Sequence, residues 1–293
     1  MPIVQLKAGD IAVHISGILS FALVVLPHFY KRRPPIKWII FWLFWFISFA
    51  IVGSKNRGGF LSILTVLLLL MFHINPLRWT RMMLIGFIFL AFFSIFSMMG
   101  VEIDVGKRNI SITQMTDNVI SILIPSQSTS LEGTKKWRLE WWRKIVNYTV
   151  YGPYFWSGKG FGINLADDDG FQVTDDHSLR SPHNGHLTIL ARMGVPGFAL
   201  WLIMQIWFAA ALWWNYLKRR WHGLYREAAL FLWILTYWLA ASVNAAFDVY
   251  LEGPQGGIWF WSIFGAGLGL MLAESRKEHA RLIVSHSLPT AGR

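Results

Sequence analysis

Residues 181–214, "SPHNGHLTILARMGVPGFALWLIMQIWFAAALWW", contain the choice that decides the fold. The second half is continuously apolar and lacks the alternation of a half-buried strand, so it reads as a helix crossing hydrocarbon. The first half carries His183, Asn184, His186 and Arg192, groups that are costly inside a bilayer. Pro196, flanked by Gly194 and Gly197, separates the two halves, because proline removes a backbone donor and collides with the preceding turn. The pattern predicts a short outer helix from about His183 to Met193, a kink, and a span beginning at Gly197. Ser181 would cap the short helix, with Pro182 at its first position. His183 would then face the outer surface near a helix N-terminus, with Asn184 as the neighbour orienting its ring.

Working outward, apolar windows of similar character lie at about 11–30, 38–53, 59–74, 82–100, 197–214, 228–245 and 256–273. In 293 residues that are 54% hydrophobic and 15% charged, these seven windows predict an all-α, multi-pass transmembrane bundle. A lipid-exposed backbone must satisfy its hydrogen bonds within each segment, which excludes open sheets. The net charge of +11 does not point to nucleic acid, because the basic residues cluster in alternate short connectors. Lys31, Arg32, Arg33 and Lys37 form one cluster; Arg78 and Arg81, then Lys218, Arg219, Arg220 and Arg226, then Arg276, Lys277 and Arg281 form the others. The positive-inside rule puts these connectors in the cytoplasm. Connectors 54–58, 101–184 and 246–255 then face outward, with nearly all the acidic residues. The same topology leaves Met1 outside without a cleavable leader, so the chain is expected to be the C-terminal portion of a longer protein. The absence of cysteine excludes disulfides, iron–sulfur clusters and thiolate zinc sites.

The chain thus divides into four helices over 1–100, a polar insert over 101–184, a short outer helix with three spans over 185–273, and a cytoplasmic tail over 274–293. An insert of that length needs its own structure or a function. Within it, "GTKKWRLEWWRKIVNYTV", residues 133–150, spaces Trp137, Trp141, Ile145 and Tyr148 as one helical face. That face suits either the headgroup layer of the membrane or the outer ends of the bundle. A glycine-rich turn region, "YGPYFWSGKGFG", follows, and then "DDDGFQVTDDH", which reads as a solvated, mobile acidic loop.

Three places carry candidate chemistry. In "GSKNRGGF", residues 53–60, Arg57 lies at the outer end of two spans, with Lys55 beside it. A guanidinium there either snorkels to lipid headgroups or meets a phosphate whose oxygens match its planar fork. Gly58 and Gly59 permit close backbone approach. Arg138 and Trp142 on the insert helix form a second candidate for anion contact. In "HNGH", residues 183–186, two histidines lack a third ligand at fixed spacing, and the acidic loop does not match a calcium-loop pattern, so no metal is expected. A neutral imidazole that accepts a proton from a hydroxyl needs less machinery. Together these candidates place a base and two arginines on one outer surface, where a hydroxyl could react with a phosphate-bearing lipid.

Three stretches carry a family resemblance. "GSKNRGGFLSIL" resembles the S-R-G segment that opens a membrane helix in the O-antigen ligase and polymerase family. "KWRLEWWRKIVNYTVYGPYFWSGKGFG" is similar to the R-x3-W, P and G-x-G-x-G region of that family's large periplasmic loop. "SPHNGHLTILARMGVPGF" resembles its H-N-x-x-L-x-x-x-x-x-G-x-x-G signature, and the order matches across residues 50–200. The resemblance implies a metal-independent glycosyltransferase of the bacterial inner membrane, with no cofactor and a periplasmic active face. Its donor would be a polyprenyl-diphosphate-linked glycan and its acceptor a lipid-linked saccharide. Arg57 and Arg138 would bind the diphosphate and His183 would activate the acceptor hydroxyl, with Asn184, Trp142 and Lys55 as substrate contacts. The serine of "SKNRGG" stands two residues too far from its arginine, so Arg57 carries over and Ser54 does not. A polymerase of the same family, a bicarbonate-related transport component and an inactive scaffold remain as alternatives. Transport is the weaker reading because no apolar window carries a central carboxylate.

Overall fold

The structure is a computed structural model that describes residues 7–29, 35–98, 103–104, 109–110 and 129–287. Helix α1 (Ala8–Ser20) runs on through a π-helical stretch, Phe21–Val25, and a 3-10 turn, Leu26–His28. Helices α2 (Pro35–Lys55) and α3 (Arg57–Met71) meet at Asn56, and α4 (Pro76–Met98) follows. The insert contributes a two-residue antiparallel ladder, Ile103–Asp104 with Asn109–Ile110, then α5 (Thr129–Val150) and the short α6 (Leu165–Asp169). Helices α7 (Gly185–Trp221), α8 (Tyr225–Ala245) and α9 (Pro254–Ser287) complete the chain.

Among the described residues, five helices are long and apolar enough to cross a membrane: Ala8–His28, Ile36–Gly53, Gly185–Trp221, Tyr225–Ala245 and Pro254–Lys277. The predicted windows at 59–74 and 82–100 coincide with shorter apolar helices, Gly58–Met71 and Met82–Phe92. At about 1.5 Å per residue, α3 falls short of a hydrocarbon layer roughly 30 Å thick. Helix α8 is central, packing against α1, α3, α7 and α9. Its buried Ala228, Ala229, Ala240, Ala241 and Ala245 explain this, because small side chains let neighbouring backbones approach closely. Phe44, Phe87, Leu200, Ile203 and Ile206 remain exposed on the bundle, a surface suited to acyl chains.

A second, separate core belongs to the insert. Trp141, Ile145, Leu165, Ala166, Leu190 and Ala191 pack together, joining α5 and α6 to the start of α7. The Trp137–Trp141–Ile145–Tyr148 face therefore meets protein rather than headgroups, with Trp141 stacked on Phe171. The acidic stretch is built into this core. Asp169 accepts from the Trp141 indole at 2.7 Å and from Tyr148 at 3.2 Å, and Lys159 bonds both Asp168 and Asp169. Only Asp167 of the triplet stays with surface partners, Gln172 and His177. The expectation of a solvated acidic loop holds for the exposed Asp167, Asp168, Asp175 and Asp176 but not for Asp169, whose buried carboxylate organises Trp141, Tyr148 and Lys159.

The break in α7 falls where proline and glycine predicted it, at a single residue, Gly194 (φ 68°, ψ −172°). The main chain is rearranged here because Pro196 has no N–H for the carbonyl of Arg192. The glycine-rich turn fills the gap: Lys159 N–H donates to Ala191 O at 2.8 Å and Gly160 N–H to Arg192 O at 3.0 Å. In return, Val195 N–H donates to Phe155 O at 2.7 Å. A Cβ on Gly158 would come within 2.4 Å of the Arg192 carbonyl carbon, and one on Gly194 within 2.4 Å of Phe155 O. The two glycines are thus required by backbone-to-backbone packing.

Candidate functional site

The start of α7 differs from the expected one. Asn184, with extended backbone, is the cap, and its Oδ1 accepts from Leu187 N–H at 3.0 Å. Ser181 and Pro182 lie before the helix, and His183 has φ 52°, a left-handed conformation that cannot open a right-handed helix. Asn184 therefore spends its carbonyl oxygen on the helix end and does not orient His183. The group facing the imidazole is Asp248, with His183 Nδ1 4.0 Å from Asp248 Oδ1. Asp248 lies just beyond α8, where the aspartate after the span at 228–245 was the one available signal in sequence.

Asp248 is held as a carboxylate. Burial pushes its carboxyl up, but the facing His183 imidazole, the charge of Lys7 and the Val249 N–H outweigh burial and bring it below its ordinary value of 3.8. Its neighbour Phe247 ties the other motifs to this point. Arg138 Nη1 donates to Phe247 O at 3.3 Å. Gly58, in the first turn of α3, lies so close to Phe247 that a Cβ there would approach its side chain to 2.5 Å. Trp142 donates its indole N–H to Pro182 O at 2.8 Å, fixing the residue before His183, and the Trp137 ring meets the His183 ring edge-on at 6.3 Å.

The structure thus brings His183, Arg138, Trp142 and the N-terminus of α3 to one place, around Phe247 and Asp248. Arg57 is the first residue of α3 and Lys55 the last of α2; their side chains lie outside the described residues. Asn56 caps α3, its Oδ1 accepting from Gly59 N–H at 3.0 Å. The N-terminal end of a 15-residue helix dipole, its Gly58 packed on Phe247, therefore sits beside Arg138's partner. Beneath, Asp10, Asn244 and Tyr250 form a buried polar floor. A groove of about 720 Å³ opens alongside, lined by Leu251, Pro254, Ile258 and Trp261 among others. It begins next to α7, since Leu251 also packs against Gly185.

His186 and Arg192, which sequence left without a task, are structural. His186 Nε2 lies 2.9 Å from Ser242 O and its Nδ1 accepts from Trp201 at 3.0 Å, which requires the neutral Nε2–H tautomer. Arg192 Nη1 donates to the carbonyls of Gly160, Phe161 and Ile163, holding the glycine turn at the α7 break.

The arrangement offers a base backed by a carboxylate, a guanidinium and a helix N-terminus, which is the equipment for activating a hydroxyl beside a leaving anion. No curated protein and no solved structure gave a significant match. A family model described as O-antigen ligase matches residues 42–202, more than half of the chain and all three motif segments. The chain belongs to the O-antigen ligase family, a membrane protein of the ligase and polymerase type.

Proposed function

We propose that the protein transfers a glycan from a polyprenyl-diphosphate donor to a hydroxyl of a lipid-linked saccharide acceptor, at the periplasmic face of the bacterial inner membrane and without a metal. The observation that carries this reading is the His183–Asp248 pair beside Arg138 and the α3 N-terminus. With Nδ1 on the side of the Asp248 carboxylate, 4.0 Å away, His183 would carry its proton there and present Nε2 as the acceptor of the hydroxyl proton. The freed oxygen attacks the anomeric carbon, and the bond from that carbon to the diphosphate oxygen breaks, its electron pair leaving with the diphosphate. Arg138, Arg57 and the α3 dipole would stabilise the charge that gathers there. A single displacement inverts the anomeric carbon.

Lys55, Asn184 and Trp142 complete this reading, Lys55 as a contact to the diphosphate and the other two as residues that position the acceptor beside His183. The groove of Leu251, Ile258 and Trp261 suits the polyprenyl tail. The positive-inside rule supports the outward direction of His183, since Lys218, Arg219 and Arg220 lie at the far end of α7. Seven spans follow if α3 and α4 cross with the five longer helices. The test is transfer in proteoliposomes from polyprenyl-diphosphate glycan to a lipid-linked saccharide. Product with wild type and none with His183→Ala is expected. Transfer only onto a second polyprenyl-linked glycan would instead identify a polymerase, and undiminished transfer by His183→Ala would sink the assignment of the base.

A further inference from the structure

The far end of α7 holds a second arrangement that the outer site does not use. A cavity of about 810 Å³ at the α7–α8 turn is lined by Trp214, Leu217, Lys218, Arg220, Trp221, His222 and Tyr225. Its lining has basic groups and no carboxylate. Of the carboxylates near this end, Glu274 is engaged with Lys277 at 2.6 Å and Arg219 at 3.9 Å, and Glu227, in the first turn of α8, is not part of the cavity lining.

Arg220 is braced. Its Nη1 donates to Tyr216 Oη at 2.7 Å, and the same hydroxyl is hydrogen-bonded to His73 Nδ1, 3.0 Å away. This chain, from His73 just beyond α3 to α7, holds Arg220 in the cavity lining, the pre-organisation that favours a phosphate. The apolar half is equally defined. Trp214, Leu217 and Trp221 follow one another at spacings of three and four, forming a two-turn stripe on one face of α7. Trp214 is 68% exposed and Trp221 89%. Indoles so placed at the end of a spanning helix occupy the headgroup level.

We propose that the α7–α8 turn binds one anionic glycerophospholipid, its phosphate on Arg220, Lys218 and His222 and its acyl chains along Trp214 and Leu217. A free phosphate would use the charges but leave the indole stripe without a partner, so the lipid is the occupant. The site is independent of the glycan chemistry at the opposite end of α7.

The test uses the full chain in nanodiscs of phosphatidylcholine, or of equimolar phosphatidylcholine and phosphatidylglycerol. Thermal unfolding is followed, and lipid retained after detergent extraction is counted by native mass spectrometry. Phosphatidylglycerol should be retained preferentially and raise the unfolding temperature. Lys218→Gln with Arg220→Gln should weaken that retention roughly ten-fold and abolish the rise in unfolding temperature from phosphatidylcholine to the mixed lipid, each variant referred to its own unfolding in phosphatidylcholine. Trp221→Ala, a change at an exposed side chain, should weaken it with both charges intact, and serves if the double variant does not fold. Equal retention by wild type and these variants would overturn the proposal. Millimolar inorganic phosphate stabilising the phosphatidylcholine sample as strongly would also overturn it, in favour of a soluble anion.

Discussion

His183 Nδ1 lies 4.0 Å from Asp248 Oδ1, across 65 residues of chain that include the whole of α7 and α8. The pair joins the first residue before the α7 cap to the loop that follows α8. Removing the imidazole should lower the transfer rate roughly 100- to 10,000-fold, the usual worth of a positioned base. Asp248→Asn keeps the shape but not the charge and should lower kcat more than it raises KM. Steady-state transfer kinetics check both, and a pure KM effect in Asp248→Asn would remove the carboxylate from the mechanism.

The same carboxylate sets a pH dependence. Asp248 has a folded value below 3.8, so its contribution to stability is present above that pH and is lost as the pH falls through the lower folded value. Wild type should therefore lose stability on acidification more steeply than Asp248→Asn. Thermal unfolding in detergent from about pH 5 down to about pH 2, which spans the ordinary carboxylate value and the range beneath it, measures the difference.

Arg138 and Gly58 act on Phe247 from two sides. Arg138→Ala should cost roughly 100-fold in kcat/KM, and Arg138→Lys should recover little, since an ammonium cannot both hold the Phe247 carbonyl and offer a fork to a diphosphate. Gly58→Ala should displace Phe247 and with it Asp248. Its expected signature is lost transfer in a protein that still folds; unimpaired transfer would mean that the α3 contact does not position the pair.

The interlock at the α7 break should be sensitive to volume and to charge separately. Gly194→Ala forces a side chain into the Phe155 carbonyl at a positive φ and should cost about 2 to 4 kcal/mol. Arg192→Met removes three hydrogen bonds to the glycine turn and should cost about 3 kcal/mol. Chemical denaturation in detergent, with α5 tryptophan fluorescence as the reporter, would detect either change.

Lys159, 8% exposed, neutralises the fully buried Asp169, and Lys159→Met should cost about 3 to 5 kcal/mol by leaving that carboxylate alone. Burial pulls the ammonium down, but hydrogen bonds to Asp168 and Asp169 raise it above its ordinary value of 10.5. Its stabilisation is therefore complete below pH 10.5 and disappears only as the pH rises through the higher folded value. The insert should stay folded in alkaline buffer until beyond that point, as read by near-ultraviolet circular dichroism.

Much of this architecture was legible in composition and spacing. The continuous apolar windows located the helices, and Pro196 with Gly194 located the break in α7 to within two residues. The motifs brought His183, Arg138 and Trp142 to attention, and the structure gathers them. Two things were out of reach. Whether Asn184 or Ser181 would cap α7 depended on the backbone angle of His183, which neighbouring residue types do not dictate. Asp248 is separated from His183 by two helices, and no local periodicity links a loop aspartate to a distant imidazole. The acidic triplet misled for a related reason: its exposed appearance in sequence hid one member, Asp169, that meets Trp141, Tyr148 and Lys159 only after folding.

The docking of the glycine turn into the gap at Gly194 has a consequence for engineering. The insert obtains main-chain partners and part of its apolar core from α7, so it is not a detachable cassette. An exchange of inserts between family members, made to alter which glycan is accepted, would have to carry the segment through Val195 and the loop containing Phe247 and Asp248. A graft ending at the membrane boundary would sever both attachments and leave the transplanted insert without its anchor.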